Sequence, residues 1–372
     1  TSNGGIQLDN AGHVTVDGQQ MPTAGALSNR NLIINGAMQV AQRGTSSSDL
    51  NSYATVDRFR LKRVLTDNLA GTQQQSTTAP AGFSNSYKVD ITTAESALAA
   101  DEFFSMRTLI EAQNLQHLDY NTSDAKAVTL SFWIRSHVTG TYAVGLENPD
   151  GSRNIAKTYS VSSANTWEHK TITFPGDTGG ANPNNDNGIG FQIDWYLAAG
   201  SNFTSSDGSS WGAQNNNRRA YGQSANAIST TGGIYLTGVQ LEVGEKATPF
   251  EHRSYGDVFA QCRRYCQIVR HPRYMPYVIR GSNGNLGQTQ SWMLPVAMRA
   301  SASSVEVTIS SLRTWSGLNS TSNTTEAGGV SCSTDGTDWR FYFHDISHLS
   351  NNELQIVSNY TASQNFVLDA EL

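Results

Sequence analysis

Several groups of side chains in the sequence have the makings of a reactive or binding site. Gly208-Ser209-Ser210-Trp211-Gly212 fits the Gly-x-Ser-x-Gly pattern of a serine-hydrolase elbow. That chemistry needs a strand before the serine and a helix after it, to expose the hydroxyl and supply oxyanion donors. Here Ser/Asn-rich loop flanks both sides, and in a Gly/Ser-rich chain the pattern arises by chance. Asp194, Asp207, Glu147 and Asp150 could offer the paired carboxylates of glycoside hydrolysis. Asp150 and Asp207-Gly208 are accounted for as turn residues, and no internal repeat of β-helix length is present. His344-x-x-x-His348 with Asp345, and Cys262 with Cys266, are the metal-like spacings. Zinc sites take four ligands in matched pairs, so the two cysteines read instead as buried apolar thiols. With Cys332 they form no disulfide framework. Neither catalytic residues, nor a metal, nor a cofactor is expected.

A further group fits carbohydrate. Sugar recognition needs aromatic faces for the C–H side of the ring and amide or carboxylate groups for its hydroxyls. Trp195, Tyr196, Trp211 and Tyr221, with Asp194, Asn215, Asn216 and Arg218, supply that mixture in and beside one Gly/Ser/Asn-rich stretch, residues 198–231. A loop this long within a compact domain is functional or disordered. The competing reading is that Trp211 plugs the fold or a subunit contact, since loop aromatics pack more often than they bind.

The sequence around these residues reads as a succession of strands. Alternating apolar runs recur at Tyr53–Val64, Tyr87–Ile91, Phe103–Ile110, Ala127–His137, Thr141–Leu146, Arg153–Val161, Trp167–Phe174, Ile189–Leu197 and Ile234–Val243. The turn from Glu147 to Ser152 closes a hairpin. Eight or nine such strands predict an all-β fold, an antiparallel jelly-roll β-sandwich over 31–253. A first strand is expected to begin within Asn31–Val40. The segment before it, 1–30, holds only short alternating pieces and reads as an extended attachment segment. One helix is predicted over Gly256–Val269, with Val258, Phe259, Cys262, Tyr265, Cys266 and Val269 on one apolar face. It connects (254–270) to a smaller C-terminal β domain over 271–372.

Composition narrows the partners. Charged residues are only 15% of the chain, the net charge is −6, and the longest basic runs are Arg218-Arg219 and Arg263-Arg264. Phosphate tracking needs a clustered positive face, so nucleic acid is not expected as a partner. Neither a 20-residue apolar stretch nor a signal-peptide pattern appears, so no membrane insertion is expected. The opening Thr1-Ser2-Asn3-Gly4-Gly5 reads like a start from which Met was removed, which implies synthesis in a cytosol.

Several stretches, in order, carry a resemblance: Asn31-Leu32-Ile33-Ile34-Asn35-Gly36-Ala37-Met38-Gln39-Val40, Val56-Asp57-Arg58-Phe59, Ile110–Leu115, Val128–Ile134, Gly238-Val239-Gln240-Leu241-Glu242-Val243-Gly244, Ala247-Thr248-Pro249-Phe250-Glu251 and Cys262-Arg263-Arg264-Tyr265. Pro295–Ala300 looks like the opening of a C-terminal module. Together they resemble bacteriophage tail-fibre and virion structural proteins with a carbohydrate-binding-module-like jelly roll, over most of residues 30–300. The resemblance implies a subunit of a virion appendage, tail fibre or spike, assembled in the host cytoplasm beside other virion proteins. It adheres, on this reading, to a host surface polysaccharide or lipopolysaccharide. A head decoration or capsid fibre protein is the alternative, and a virion-borne polysaccharide-degrading enzyme a lesser one. Relatives also suggest a structural calcium ion, although no Asp-rich loop identifies its place. A homotrimer is expected, from the apolar face of the helix and from the Gly-rich N-terminal segment.

Overall fold

The computed structural model describes residues 29–64, 69–268, 295–299 and 370–371 with their side chains, and elsewhere the backbone of the strands named below. The chain divides into two compact units, Thr1–Val258 with Leu372, and Phe259–Glu371.

The first unit opens with a three-stranded antiparallel meander, β1 (Ile6–Leu8), β2 (Val14–Val16) and β3 (Gln19–Gln20), so the short alternating pieces pair with each other. Twelve strands then build two six-stranded sheets. They are β4 (Ser46–Ser47), β5 (Phe59–Val64), β6 (Ala70–Ser76), β7 (Ser86–Thr93), β8 (Phe103–Glu111), β9 (Val128–Ser136), β10 (Gly140–Asn148), β11 (Arg153–Val161), β12 (Glu168–Phe174), β13 (Ile189–Ala199), β14 (Gly212–Ala213) and β15 (Gly232–Val243). Sheet I runs β14-β11-β10-β13-β8-β5, and sheet II runs β12-β9-β15-β7-β6-β4. All pairs are antiparallel, and the fold is an antiparallel β-sandwich of jelly-roll type, as the strand rhythm predicts.

Alternation explains which side chains fill the space between the sheets. Phe104 and Met106 of β8, Phe191, Ile193 and Trp195 of β13, and Val144 and Leu146 of β10 point inward from sheet I. Tyr87 and Val89 of β7, Leu130 and Phe132 of β9, and Leu236 and Leu241 of β15 meet them from sheet II. The Trp195 ring lies 5.8 Å from Phe132 and 6.4 Å from Phe59, which joins both sheets through one aromatic cluster. Such pairs add to the area-based gain of burial.

Residues 31–40 are not the expected strand. Asn35 and Met38 adopt positive φ (61° and 57°), and the Asn35 amide donates to the carbonyls of Val40 and Asp57, both at 2.9 Å. Side-chain hydrogen bonds to the backbone here outcompete a ladder. Asn31 works the same way, donating to the Val239 carbonyl at 3.1 Å and accepting from the Leu241 N–H at 3.1 Å. Glu251 accepts from the backbone N–H groups of Asn29 (2.6 Å) and Asn31 (3.0 Å), and pairs with Arg253 at 2.9 Å. The stretches around Asn31, Asp57, Val239 and Glu251 therefore converge on one seam that ties the start of the sandwich to its end. Their residue types serve the fold.

Helix α1 (Ser201–Thr204) is a single turn within the long connection. Helix α2 (Tyr255–Arg263) begins with a reciprocal cap: Ser254 Oγ donates to the Asp257 carboxylate at 2.6 Å and accepts from its N–H at 3.2 Å. It stops earlier than the expected Val269, because Cys266–His271 is a strand, β16. Ile268 and Val269 are β-branched and pair with Val367 and Phe366, so tertiary pairing overrides the helical spacing. Cys262, Tyr265 and Cys266 are buried, as the apolar-thiol reading expects. Phe259 is only half-buried, with Arg263 over its ring. Of the apolar face that suggested oligomerisation, Val258, Cys262, Tyr265 and Cys266 are buried, and the Val269 side chain lies outside the described residues.

The second unit holds β16 with β17 (Pro276–Ser282), β18 (Leu286–Gln288), β19 (Trp292–Met293), β20 (Ser304–Val307), β21 (Leu312–Ser316), β22 (Ser322–Thr325), β23 (Gly329–Thr334), β24 (Asp338–His344), β25 (Leu354–Asn359) and β26 (Gln364–Asp369). They form a three-stranded sheet, β16-β26-β20, and an eight-stranded one. The second unit thus begins at Phe259, inside the segment expected to be the connecting helix, and its first strand is β16. His348 and the side chains of Cys332 and His344 lie outside the described residues.

Candidate functional site

The outer face of sheet I carries two of the four sequence-predicted acids, Asp194 and Glu147. Asp194 of β13 is 1% exposed, and both its oxygens are engaged. Oδ1 accepts from Ser105 Oγ (2.7 Å) and Arg107 Nε (2.8 Å), and Oδ2 accepts from Gln192 Nε2 (2.8 Å). Glu147 of β10 accepts from Gln214 Nε2 at 2.8 Å and Arg219 at 3.0 Å. Burial pushes its carboxyl above the usual glutamate range, and Arg219 opposes that shift. Asp150 and Asp207 are turn residues: Asp150 accepts from the Asn184 N–H and amide, and Asp207 from the Ser209 N–H.

The connection over 198–231 folds back over this face. Phe203 of α1 and Ala220 pack on Phe103, Ala143 and Tyr196, and β14 pairs with β11, so the loop joins the sheet instead of standing outside it. No strand leads into Ser210, and the two-residue strand β14 follows it directly in place of an α-helix, so the elbow geometry is not formed. Arg218 donates to the carbonyls of Asp207 (2.7 Å), Ala213 (3.3 Å) and Ser210 (2.5 Å), holding the loop's shape. Asn215 caps the following 3-10 turn by accepting from the Asn217 N–H at 3.0 Å. Asn216 is exposed.

The aromatic residues expected to stack on sugar are mostly unavailable. Trp195 points into the core and is 0% exposed, as is Tyr196 under the loop. Neither ring can meet a ligand, because β13 has one side against the sandwich core and the other under Phe203. Trp211 packs edge-on against Tyr120 at 5.8 Å and donates its indole N–H to the Pro175 carbonyl at 2.7 Å, so it plugs the sandwich edge. Tyr221 alone is exposed, at 36%. The set Trp195, Tyr196, Trp211, Tyr221, Asp194, Asn215 and Arg218 is therefore corrected: the structure does not bring it together as an open site.

Accessible aromatic surface lies on the other sheet. The inward residues of β9 are Val128, Leu130, Phe132 and Ile134, which turns Trp133 and Arg135 outward. Trp133 faces His169 of β12 (5.2 Å between rings), its register partner. Tyr235 of β15 stands between its two neighbours, with Arg135 4.9 Å and Lys88 5.6 Å from its ring centre. Trp167 meets Tyr235 edge-on at 6.0 Å. Trp133, Trp167 and Tyr235 are all partly exposed, and His169 is exposed. Beyond the cation–π contact the Arg135 guanidinium makes no hydrogen bond or ion pair among the described residues, and its Nε has no partner. Gly238 breaks the register of β15 with φ 61°; a Cβ there would lie 2.7 Å from the Phe83 ring and 3.0 Å from Trp133. The missing Cβ leaves room for both rings beside the strand. Sequence reasoning missed this row, although its signal was present: Trp133, Arg135 and Tyr235 stand at solvent-facing parity in strands otherwise read correctly.

Among the described residues no cluster of three His, Cys, Asp or Glu side chains could hold a metal ion, and no helix is long and apolar enough to cross a membrane. The fold and this face define a β-sandwich displaying an aromatic and cationic strip. No family model matches the sequence, and no curated protein does. Among solved structures the chain is similar to the enzymatically active domain of tailspike protein 4 of bacteriophage CBA120, at 13% identity and a TM-score of 0.32, over 57% of this chain and 21% of that one. It thus spans about a fifth of that tailspike structure. It is also similar to the family 11 carbohydrate-binding module of the cellulase Lic26A-Cel5E of Clostridium thermocellum, at 11% identity and a TM-score of 0.28, over 56% of this chain and 98% of that one. Likenesses this distant carry no function with them.

Proposed function

We propose that the chain is a non-catalytic subunit of a bacteriophage appendage, a tail fibre or spike, that adheres to a host surface glycan through the outer face of sheet II. The observation that carries this reading is the strip Trp167–Tyr235–Arg135 with Trp133 and His169: partly exposed indoles beside a guanidinium with unused donors. Indole faces take the C–H side of a pyranose, and guanidinium and imidazole donors take its hydroxyls. The motif resemblance around Asn31, Asp57, Gly238 and Glu251 supports the virion setting. The commitment of Asp194 to Arg107 and of Glu147 to Arg219 supports binding over cleavage, since neither carboxylate is left to face a scissile bond.

A stacked ring contributes about 1–3 kcal/mol by analogy with other stacking platforms, which is weak for a single site. Adhesion then gains from several copies acting together, so the proposed assembly is a homotrimer alongside other virion proteins. Sedimentation of the full chain at micromolar concentration should show no stable monomer. The functional test is a bacterial glycan array probed with the full chain and with Trp167→Ala. Binding by the wild type, reduced about tenfold or more in the variant, is expected. Shortening of a bound polysaccharide on incubation would overturn the non-catalytic part, and an array with no binder would overturn adhesion.

A further inference from the structure

On the outer face of sheet I, away from the aromatic strip, β5 and β8 set two arginines directly opposite one another. Arg60 is the register partner of Arg107, and Lys62, two residues further along β5, opposes Ser105 on the same face. Like charges in directly opposed positions destabilise a sheet. Arg107 is compensated by Asp194, its own partner across β13, at 2.8 Å. Nothing comparable serves the other two. Among the described residues Arg60 donates only to the carbonyls of Asn51 (2.9 Å) and Leu61 (3.4 Å), with its guanidinium 5.1 Å from the Tyr53 ring centre. Lys62 makes no hydrogen bond or ion pair among the described residues. Burial, then Arg60, then Arg107 depress its ammonium, and Asp194 opposes them. Positive charges on an edge strand can serve simply to block pairing with another chain. That does not account for Arg107, which stands on an interior strand beside them, nor for an uncompensated cationic group in a chain of net charge −6.

We infer that Arg60, Lys62 and Arg107 form a binding site for an oxyanion substituent of the host glycan. The guanidinium of Arg60 and the Lys62 ammonium supply the free donors and the uncompensated charge that retains the anion, and Arg107, held by Asp194, bounds the site on the neighbouring strand. The inference rests on the glycan reading for the source of the anion only; the cluster lies on the opposite sheet from the aromatic strip and can be tested apart from it. A carboxylate would come from a uronic acid of an acidic polysaccharide, and a phosphate from a lipopolysaccharide core.

The test is the melting temperature of the full chain in sodium glucuronate, in sodium phosphate and in sodium chloride at matched ionic strength, for the wild type, Lys62→Gln and the control Lys170→Gln. One oxyanion should raise the wild-type and control melts by about 3–5 °C over chloride at tenfold above its Kd. Whichever does so names the source. Lys62→Gln should lose that rise, and without ligand it should melt no lower than the wild type, because a repulsion has been removed. Equal shifts in glucuronate, phosphate and chloride, or a rise that Lys62→Gln retains, would overturn the site. So would a lower unliganded melt for Lys62→Gln, which would make the lysine structural. If glycan adhesion survives while the oxyanion effect is absent, this inference fails and the aromatic strip stands.

Discussion

Trp195 gives the sharpest test of how the sandwich is built, because its ring and its N–H pull in opposite directions. The indole is fully enclosed between Phe59 and Phe132, and its Nε1 has no hydrogen-bond partner. Truncation in Trp195→Ala removes the ring that joins the two sheets and leaves a cavity, at a cost of about 3–5 kcal/mol. In a unit of this size each kcal/mol moves the melt by about 2–4 °C, so a fall of roughly 6–20 °C is expected. Trp195→Phe keeps most of the ring contacts and removes the unmet N–H, whose burial costs about 1–3 kcal/mol. Packing loss and that relief nearly offset, so its melt should stay within about 4 °C of the wild type. The assay is calorimetry on both variants with urea titration as a check on m. If Trp195→Phe falls as far as Trp195→Ala, the indole N–H is satisfied and the burial argument is wrong.

Other predictions follow from the seam and the helix. Gly36→Ala places a Cβ 2.0 Å from the Val239 carbonyl oxygen, a backbone atom that cannot swing away, and should cost more than about 3 kcal/mol in a urea melt. Gly256→Ala on α2 meets nothing nearer than 3.9 Å and should stabilise by about 0.4–1 kcal/mol, read as a raised melting temperature. Burial pushes Glu251 up, but the Asn31 N–H, Arg253 and the Asn29 N–H together hold it below the ordinary 4.5. A depressed carboxyl contributes stability that is present above its unfolded value and is lost as pH falls through its folded one. The stability gap between wild type and Glu251→Gln should therefore be largest near neutrality, about 1–2 kcal/mol, and should close in an acid melt series as the pH falls through the lowered pKa of the folded carboxyl. Trp211→Ala should lower the melt and leave glycan binding unchanged, because its ring packs on Tyr120.

The fold was legible because most of its strands carry the period-2 pattern outright. Phe132, Trp133, Ile134 and Arg135 alternate inside and outside as the sequence implies. The failures have physical causes. Strand β6, Ala70–Ser76, is almost wholly polar and is held by pairing with β7, not by an apolar face, so no periodicity marked it. Residues 31–40 look like a strand but are wired by Asn31 and Asn35 side chains to distant backbone. Cys266–Val269 continued a helical spacing only until β26 paired with it. In the site, Trp195 and Trp211 had the right residue type for sugar but the wrong parity and partners. Trp133 and Tyr235 were overlooked because they sat inside well-predicted strands, where an aromatic residue is easily credited to the core.

On the proposed reading, glycan binds on the outer face of sheet II. Hydroxyl-radical footprinting of the full chain, with and without a glycan bound on the array, reads each tryptophan separately. Trp133 and Trp167 should be oxidised in the free chain and protected by the glycan, with Trp211 unchanged and Trp195 unlabelled throughout. Protection of Trp211 and Tyr221, with Trp133 and Trp167 unaffected, would return recognition to the 198–231 loop and contradict the claim.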